Sequence, residues 1–202
     1  MKKKIFNSDQ MNEIRIGLEE GLDVSKYNQL DPQGHPIYNA YQMHLILTGL
    51  KAGLDISQYN KLDPHGHPIY NAHQMFEILD GLKYGLDISQ YNQLDPNGHP
   101  IYDWKQMDEI LTGLKHGLDI SKYTQLNHKG HPIYDGYEMS VIRMGLEEGL
   151  DVSKSTHLAS KSSLSDFDKT PTDLQDSKVI NEYNKSSHTP SESQSKSHSL
   201  TK

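Results

Sequence analysis

The sequence predicts an all-α chain: an elongated α-solenoid of five 32-residue repeats, each a main helix plus a short helical turn and an Asp-Pro-x-Gly loop, with a disordered C-terminal tail. Three observations predict it. A helix-start signal recurs at an unvarying interval of 32 residues, at Phe6, Tyr38, Tyr70, Tyr102 and Tyr134. An apolar stripe follows each start, and a Gly-Leu pair closes each stripe. Units 7–38, 39–70, 71–102 and 103–134 are complete, 135–154 is partial, residues 1–6 are a basic lead expected to fray, and 155–202 form the tail.

Each start is a capping box inside a hydrophobic staple. Asn39 is a favoured N-cap, Gln42 three residues on can reach back to its N–H, and Tyr38 and Met43 bracket the pair. The other units repeat this as Asn7/Gln10, Asn71/Gln74, Asp103/Gln106 and Asp135/Glu138. The first helix is expected from Ser8 to Glu20, stopped by Gly21 in the left-handed conformation of a Schellman motif with Leu22 folded back. In the second, Met43, Ile46, Leu47 and Leu50 span about a 100° arc, the width of one core-facing stripe. Gly17, Gly49, Gly81, Gly113 and Gly145 lie inside helices, where each costs about 1 kcal/mol relative to alanine. A neighbouring backbone or aromatic ring is expected to approach closely there.

The connection starts with a capped single helical turn, Asp55-Ile56-Ser57-Gln58-Tyr59, whose Ile and Tyr should pack on the main helix. Asp31-Pro32-Gln33-Gly34 has the residues of a type I turn, and His35 before Pro36 is held extended. The fourth unit has Asn127-His128 in place of Asp-Pro. One unit cannot bury its stripe alone, so the units must stack. Gly17 to Lys26 recurs unchanged as Gly145 to Lys154, and Arg15 and Arg143 occupy the place of Leu47, Leu79 and Leu111. Both arginines are expected to be polar caps at the ends of the stack.

Composition narrows the function classes. Mean hydropathy is −0.76, no run suggests a membrane helix, and there is no cysteine for a disulfide, a thiolate metal site or a cysteine nucleophile. A cytoplasmic protein without membrane contact is expected. Residues 1–154 carry 14 Lys/Arg against 21 Asp/Glu, so the net charge of −7 resides in the repeats and disfavours direct nucleic-acid binding. The histidine column His35, His67, His99, His131 is spaced too widely to share an ion, since packed helices stand about 8–10 Å apart and zinc ligands about 2 Å from the metal. No metal and no cofactor are expected, and each imidazole is assigned to satisfying backbone groups of its own turn. Asp31 with His35 could form an acid–base pair, but a catalytic site is rarely repeated, and no nucleophile elbow, phosphate loop or HExxH motif occurs, so no catalytic residue is assigned.

The aromatic residues at positions that vary between units are the candidate protein-binding surface: Tyr41, His73, Trp104, Tyr84 and Tyr137. In the tail, Lys178 to Tyr183 is the one apolar cluster, a candidate linear motif.

The unit Gln-Met-x-x-Ile-x-x-Gly-Leu-x-x-Gly-Leu-Asp-[Val/Ile]-Ser-x-Tyr resembles short helical repeats in proteins of plasmids, conjugative elements and phages of Gram-positive bacteria, over residues 7–154. In those proteins such repeats accompany antirestriction or multi-domain transfer proteins. The resemblance implies a non-catalytic accessory role and carries no catalytic residues. The long Asp-Pro-x-Gly-His-Pro-Ile-Tyr connection departs from the shortest versions. The function expected is a non-enzymatic, monomeric repeat scaffold mediating protein–protein interaction. The alternative is an acidic DNA mimic, of antirestriction type, that inhibits a nucleic-acid enzyme.

Overall fold

Local hydrogen bonding builds the same helix five times. The computed structural model describes residues 5–153; the tail, with Lys178–Tyr183, and residues 1–4 lie outside the described residues. Among the described residues there are five α-helices and no β-strand: α1 (Ser8–Glu19), α2 (Ala40–Lys51), α3 (Ala72–Lys83), α4 (Trp104–Lys115) and α5 (Gly136–Glu147). All five open on a complete capping box. In α2 the Asn39 side-chain oxygen accepts from the Gln42 N–H at 2.9 Å, and the Gln42 oxygen accepts from the Asn39 N–H at 3.1 Å. Each helix ends as the glycine requires. In α1 the Leu22 N–H donates to Gly17 O at 2.8 Å and the Gly21 N–H to Leu18 O at 3.1 Å, with Gly21 at φ +69°.

The connection returns along one side of its own helix. Val24–Lys26 is a 3₁₀ turn capped by Asp23, with equivalents at Ile56–Gln58, Ile88–Gln90 and Ile120–Lys122. Its tyrosine explains the helical glycines. Tyr59 is fully buried, its hydroxyl donates to Leu45 O at 3.1 Å, and a Cβ on Gly49 would overlap that hydroxyl. Tyr27 on Gly17, Tyr91 on Gly81 and Tyr123 on Gly113 repeat the arrangement. The close approach is an aromatic ring, as expected, and it comes from the same unit. At Gly145 the nearest described atom is Val152 Cγ1 at 3.0 Å, and the chain has Ser155 where the other units have tyrosine.

The turn that follows is a miniature hairpin. Gly34 N–H donates to Asp31 O at 2.9 Å, Asp31 N–H to His35 O at 2.8 Å, and Leu30 faces Pro36 in an antiparallel bridge. Asp31 Oδ1 organises it by accepting from the Gln33 and His35 N–H groups at 2.9 and 2.7 Å. Asn127 keeps the same geometry in the fourth hairpin, accepting from Lys129 and His131. The imidazoles do not satisfy backbone groups: His35 Nδ1 faces Asp31 Oδ2 at 3.3 Å, and the ring is exposed. The carboxylate of the turn has taken the backbone role assigned to the histidine.

Consecutive helices pack in parallel. At their starts Gln10 Nε2 donates to Tyr38 O at 2.8 Å, and at their ends Lys51 Nζ meets Glu20 at 2.7 Å. The capping-box glutamine therefore has two tasks: its oxygen caps its own helix, and its nitrogen ties the next unit. Gln42, Gln74 and Gln106 repeat the tie on Tyr70, Tyr102 and Tyr134. Glu138 retains the capping oxygen and has no amide to donate. Tyr38 adds a second link, its hydroxyl donating to Asn60 O at 2.7 Å. The core is the row of Met43, Ile46, Met75, Ile78, Met107 and Ile110 with the buried tyrosines.

Parallel packing gives each helix a back and a front. The column Arg15, Leu47, Leu79, Leu111, Arg143 looks back at the preceding helix, and the column Glu13, Leu45, Glu77, Glu109, Val141 looks forward. Arg143 shows this directly, its Nε lying 2.6 Å from Glu109 on α4. The expectation of two equivalent end caps is corrected here. Among the described residues no helix precedes that of Arg15; its side chain is 58% exposed, and it pairs with Glu19. Arg143 is 15% exposed and lies half-buried in the α4–α5 joint. The forward face of α5 carries Val141 instead, 44% exposed.

Candidate interaction surface

The five helices vary on one face only. At about 100° per residue, Gln42, Met43, Ile46, Gly49 and Leu50 fall within about a 120° arc. These columns are identical in all units except for Glu138, and they face the connections. Every varying column, at Ala40, Tyr41, His44, Leu45, Leu47, Thr48, Lys51 and Ala52 of α2, lies on the rest of the circumference. Leu45 and Leu47 face neighbouring helices. The others form an open surface running across the helix row.

Its N-terminal rim carries most of the sequence-predicted residues. His73 and Trp104 stack with ring centroids 5.0 Å apart, joining α3 to α4, and Lys105 Nζ lies 5.7 Å from the indole centroid. Tyr41 and Tyr137 stand on the same rim in α2 and α5; Tyr137 is 69% exposed. Gly136 leaves room for Lys105, whose Cβ would be 2.7 Å from a Cβ on that glycine. Tyr84, 64% exposed, is the C-cap of α3 at the opposite rim, where Lys115 Nζ lies 4.5 Å over its ring. The structure thus brings together His73 and Trp104, places Tyr41 and Tyr137 along the same rim, and separates Tyr84 by the length of a helix.

Sequence reasoning missed two residues of this face. Phe76 is exposed at the middle of α3. Glu77 beside it is 6% exposed, and burial, then the charges of Asp108 and Asp80, push its carboxyl up to about 7 against an opposing effect of Lys115. The signal for Phe76 was its place in the varying column Asn12, His44, Phe76, Asp108, Ser140. For Glu77 it was the alternation Glu, Leu, Glu, Glu, Val in the forward-facing column.

A ladder of charges crosses the C-terminal rim. Lys51 reaches Glu20, Lys115 reaches Asp80 at 2.6 Å, and His116 meets Glu147. Lys51, Lys83 and Lys115 also sit in the last turns of the inner helices, where cations oppose the aligned carbonyl ends of parallel helices. Between α1 and α2 the face dips into a groove walled by Ile16 and Leu47, with Glu13, His44 and Lys51 at its edges.

Among the described residues no group of three or more His, Asp or Glu side chains could hold a metal ion, and no described helix is long and apolar enough to cross a membrane. The chain matches no protein-family model, and no curated protein or solved structure matches it.

Proposed function

We propose that this protein is a non-enzymatic repeat scaffold, a solenoid of five 32-residue units, that binds another protein through the open face of its helix row. The observation that carries the reading is the confinement of variation. Within the helices, the columns that face the connections are the same in each unit but for Glu138, whereas the open face differs from helix to helix and concentrates Tyr41, His73, Phe76, Trp104 and Tyr137. Aromatic side chains on a rigid helical platform supply contact area at low entropic cost.

The neutralising Lys51 and Lys115 along the C-terminal rim favour this over an acidic mimic of DNA, which needs uninterrupted carboxylate tracks. The unit's resemblance suggests an accessory role in a mobile genetic element, and the composition a cytoplasmic setting; we take the protein to act as a monomer. The test is site-specific photo-cross-linking in the native host. A benzophenone amino acid at Tyr41, Phe76 or Trp104 should capture a common protein partner, and the same group at Lys61 or Gln93 on the connections should not. Capture from the connections alone would refute the reading.

A further inference from the structure

The joints between helices are chemically matched, with one exception. Each forward-facing residue meets the next helix in a defined way. Glu13 of α1 has the His44 imidazole of α2 at 3.2 Å. Leu45 of α2 is buried, and the α3 residues of the corresponding columns, Phe76 and Leu79, are apolar as well. Glu109 of α4 is held by Arg143 of α5 at 2.6 Å. At the joint of α3 and α4, Glu77 instead meets Asp108 in the place of His44 and Leu111 in the place of Arg143. The Glu77 carboxylate is buried there beside the exposed Asp108, with no cation of its own.

The charged and titratable groups around it are few. Asp80 lies on α3, Asp108 and Lys115 on α4, and the Tyr91 phenol comes from the connection, donating to the Glu77 backbone carbonyl at 3.0 Å. Lys115 is engaged, 2.6 Å from Asp80 and 4.5 Å over the Tyr84 ring. The Glu77 carboxylate takes part in no hydrogen bond or ion pair among the described residues. Its oxygens nevertheless keep a trace of surface contact, since no fully buried side-chain oxygen among the described residues lacks a partner. A buried carboxylate without a partner is costly, and a guanidinium, planar and weakly hydrated, is the group best suited to relieve it. The α4–α5 joint provides the pattern inside the same chain, a guanidinium from the facing element set against the equivalent glutamate.

We infer that Glu77 and Asp108 form a receptor for an arginine side chain of the partner protein, entering the α3–α4 joint from the open face beside the exposed ring of Phe76. This rests on the proposed binding face. It adds a chemistry: the partner presents a basic residue to the centre of the row, and contacts Tyr41 on one flank and Tyr137 on the other. Charge complementarity selects arginine over an apolar anchor, because an apolar group would seal two carboxylates away from water.

The test uses the full chain, isotope-labelled, with acetyl-Gly-Arg-Gly-amide as probe and its citrulline counterpart as the neutral control. At pH 8 the arginine probe should shift amide resonances of residues 76–80 and 104–112, and near saturation should lower the Glu77 carboxyl titration by about one unit. The citrulline probe should do neither. Glu77→Gln and Asp108→Asn should each weaken binding about tenfold, while Asp95→Asn in a hairpin leaves it unchanged. Glu77→Leu, which copies the α2 residue, guards against an effect of misfolding and should give the same loss with an intact helical spectrum. Equal binding of the two probes, binding indifferent to Glu77→Gln, or a Glu77 titration unmoved by the arginine probe overturns the site. If the probe fails while the open-face cross-links persist, the arginine site falls and the binding face stands.

Discussion

The effect of replacing Gly49 by alanine should depend on what stands at residue 59. The added methyl would overlap the Tyr59 hydroxyl, with Ile56 Cγ2 at 2.9 Å and Tyr59 Cζ at 3.2 Å behind it. Tyr59 is 1% exposed and has no space to retreat into. Displacing the hydroxyl forfeits its bond to Leu45 O, about 1 kcal/mol net. The overpacking costs about 1–3 kcal/mol more, against about 1 kcal/mol gained from helix propensity. The expected cost of Gly49→Ala is therefore about 1–3 kcal/mol. In a Tyr59→Phe background the clashing atom is gone, the propensity gain offsets the residual crowding by Ile56, and the same step should be close to neutral. Gly145→Ala is the internal control, because the closest described atom there is Val152 Cγ1 at 3.0 Å. It should be neutral or stabilising by up to about 1 kcal/mol. Urea unfolding of the four cycle members and the control, followed by circular dichroism, reads all of this. A cost at Gly49 no larger than at Gly145, or one that survives intact in the Tyr59→Phe background, would refute the tyrosine lock.

Two further predictions concern the joints. The Glu77 carboxyl titrates near 7 when folded against 4.5 for its ordinary value, so the folded state holds the proton longer. Its contribution to stability is fully present below about pH 4.5, declines as pH rises towards 7 and is flat above, a loss of about 3 kcal/mol. Denaturant midpoints at pH 5 and pH 8 should separate wild type from Glu77→Gln by that amount; a pH-independent difference would show that Glu77 is solvated. Leu79→Arg sets a charge against Leu45 in a sealed joint and should cost at least about 3 kcal/mol. Arg15→Leu should change stability by less than about 0.5 kcal/mol, with Arg143→Leu falling between because it strands Glu109. Thermal melts that rank Arg15 and Arg143 equally would contradict the back-and-front reading of the row.

What was legible in the sequence is what local hydrogen bonding decides. Asn39 with Gln42, Gly53 after Lys51, and Asp55 before Ile56 each determine a cap or a stop within a few residues, and all stand as read. What escaped depends on direction. Arg15 and Arg143 share a column, so sequence treats them alike, yet among the described residues one pairs within its own helix and the other with a glutamate of the preceding helix. The candidate surface was legible as a set of varying columns, and Tyr84 was grouped with Tyr41 because column variation says nothing about which rim of a helix a residue occupies. Phe76 and Glu77 were passed over because their importance is relational: one is exposed where Leu45 and Leu79 are not, and the other is buried opposite Asp108.

The glutamine ties bear on how such an array can change its copy number. Gln10, Gln42, Gln74 and Gln106 each offer an amide to the unit that follows, and each following unit offers a carbonyl at the matching place. A duplicate of an inner unit inserted between two others would find both halves of the tie ready. A sixth unit placed after the fifth would meet the Glu138 carboxylate, where two oxygens repel the incoming carbonyl. To keep the tie and the tyrosine lock, lengthening by one step at the end calls for two coordinated changes, Glu138 to glutamine and Ser155 to tyrosine, whereas lengthening from within leaves both in place.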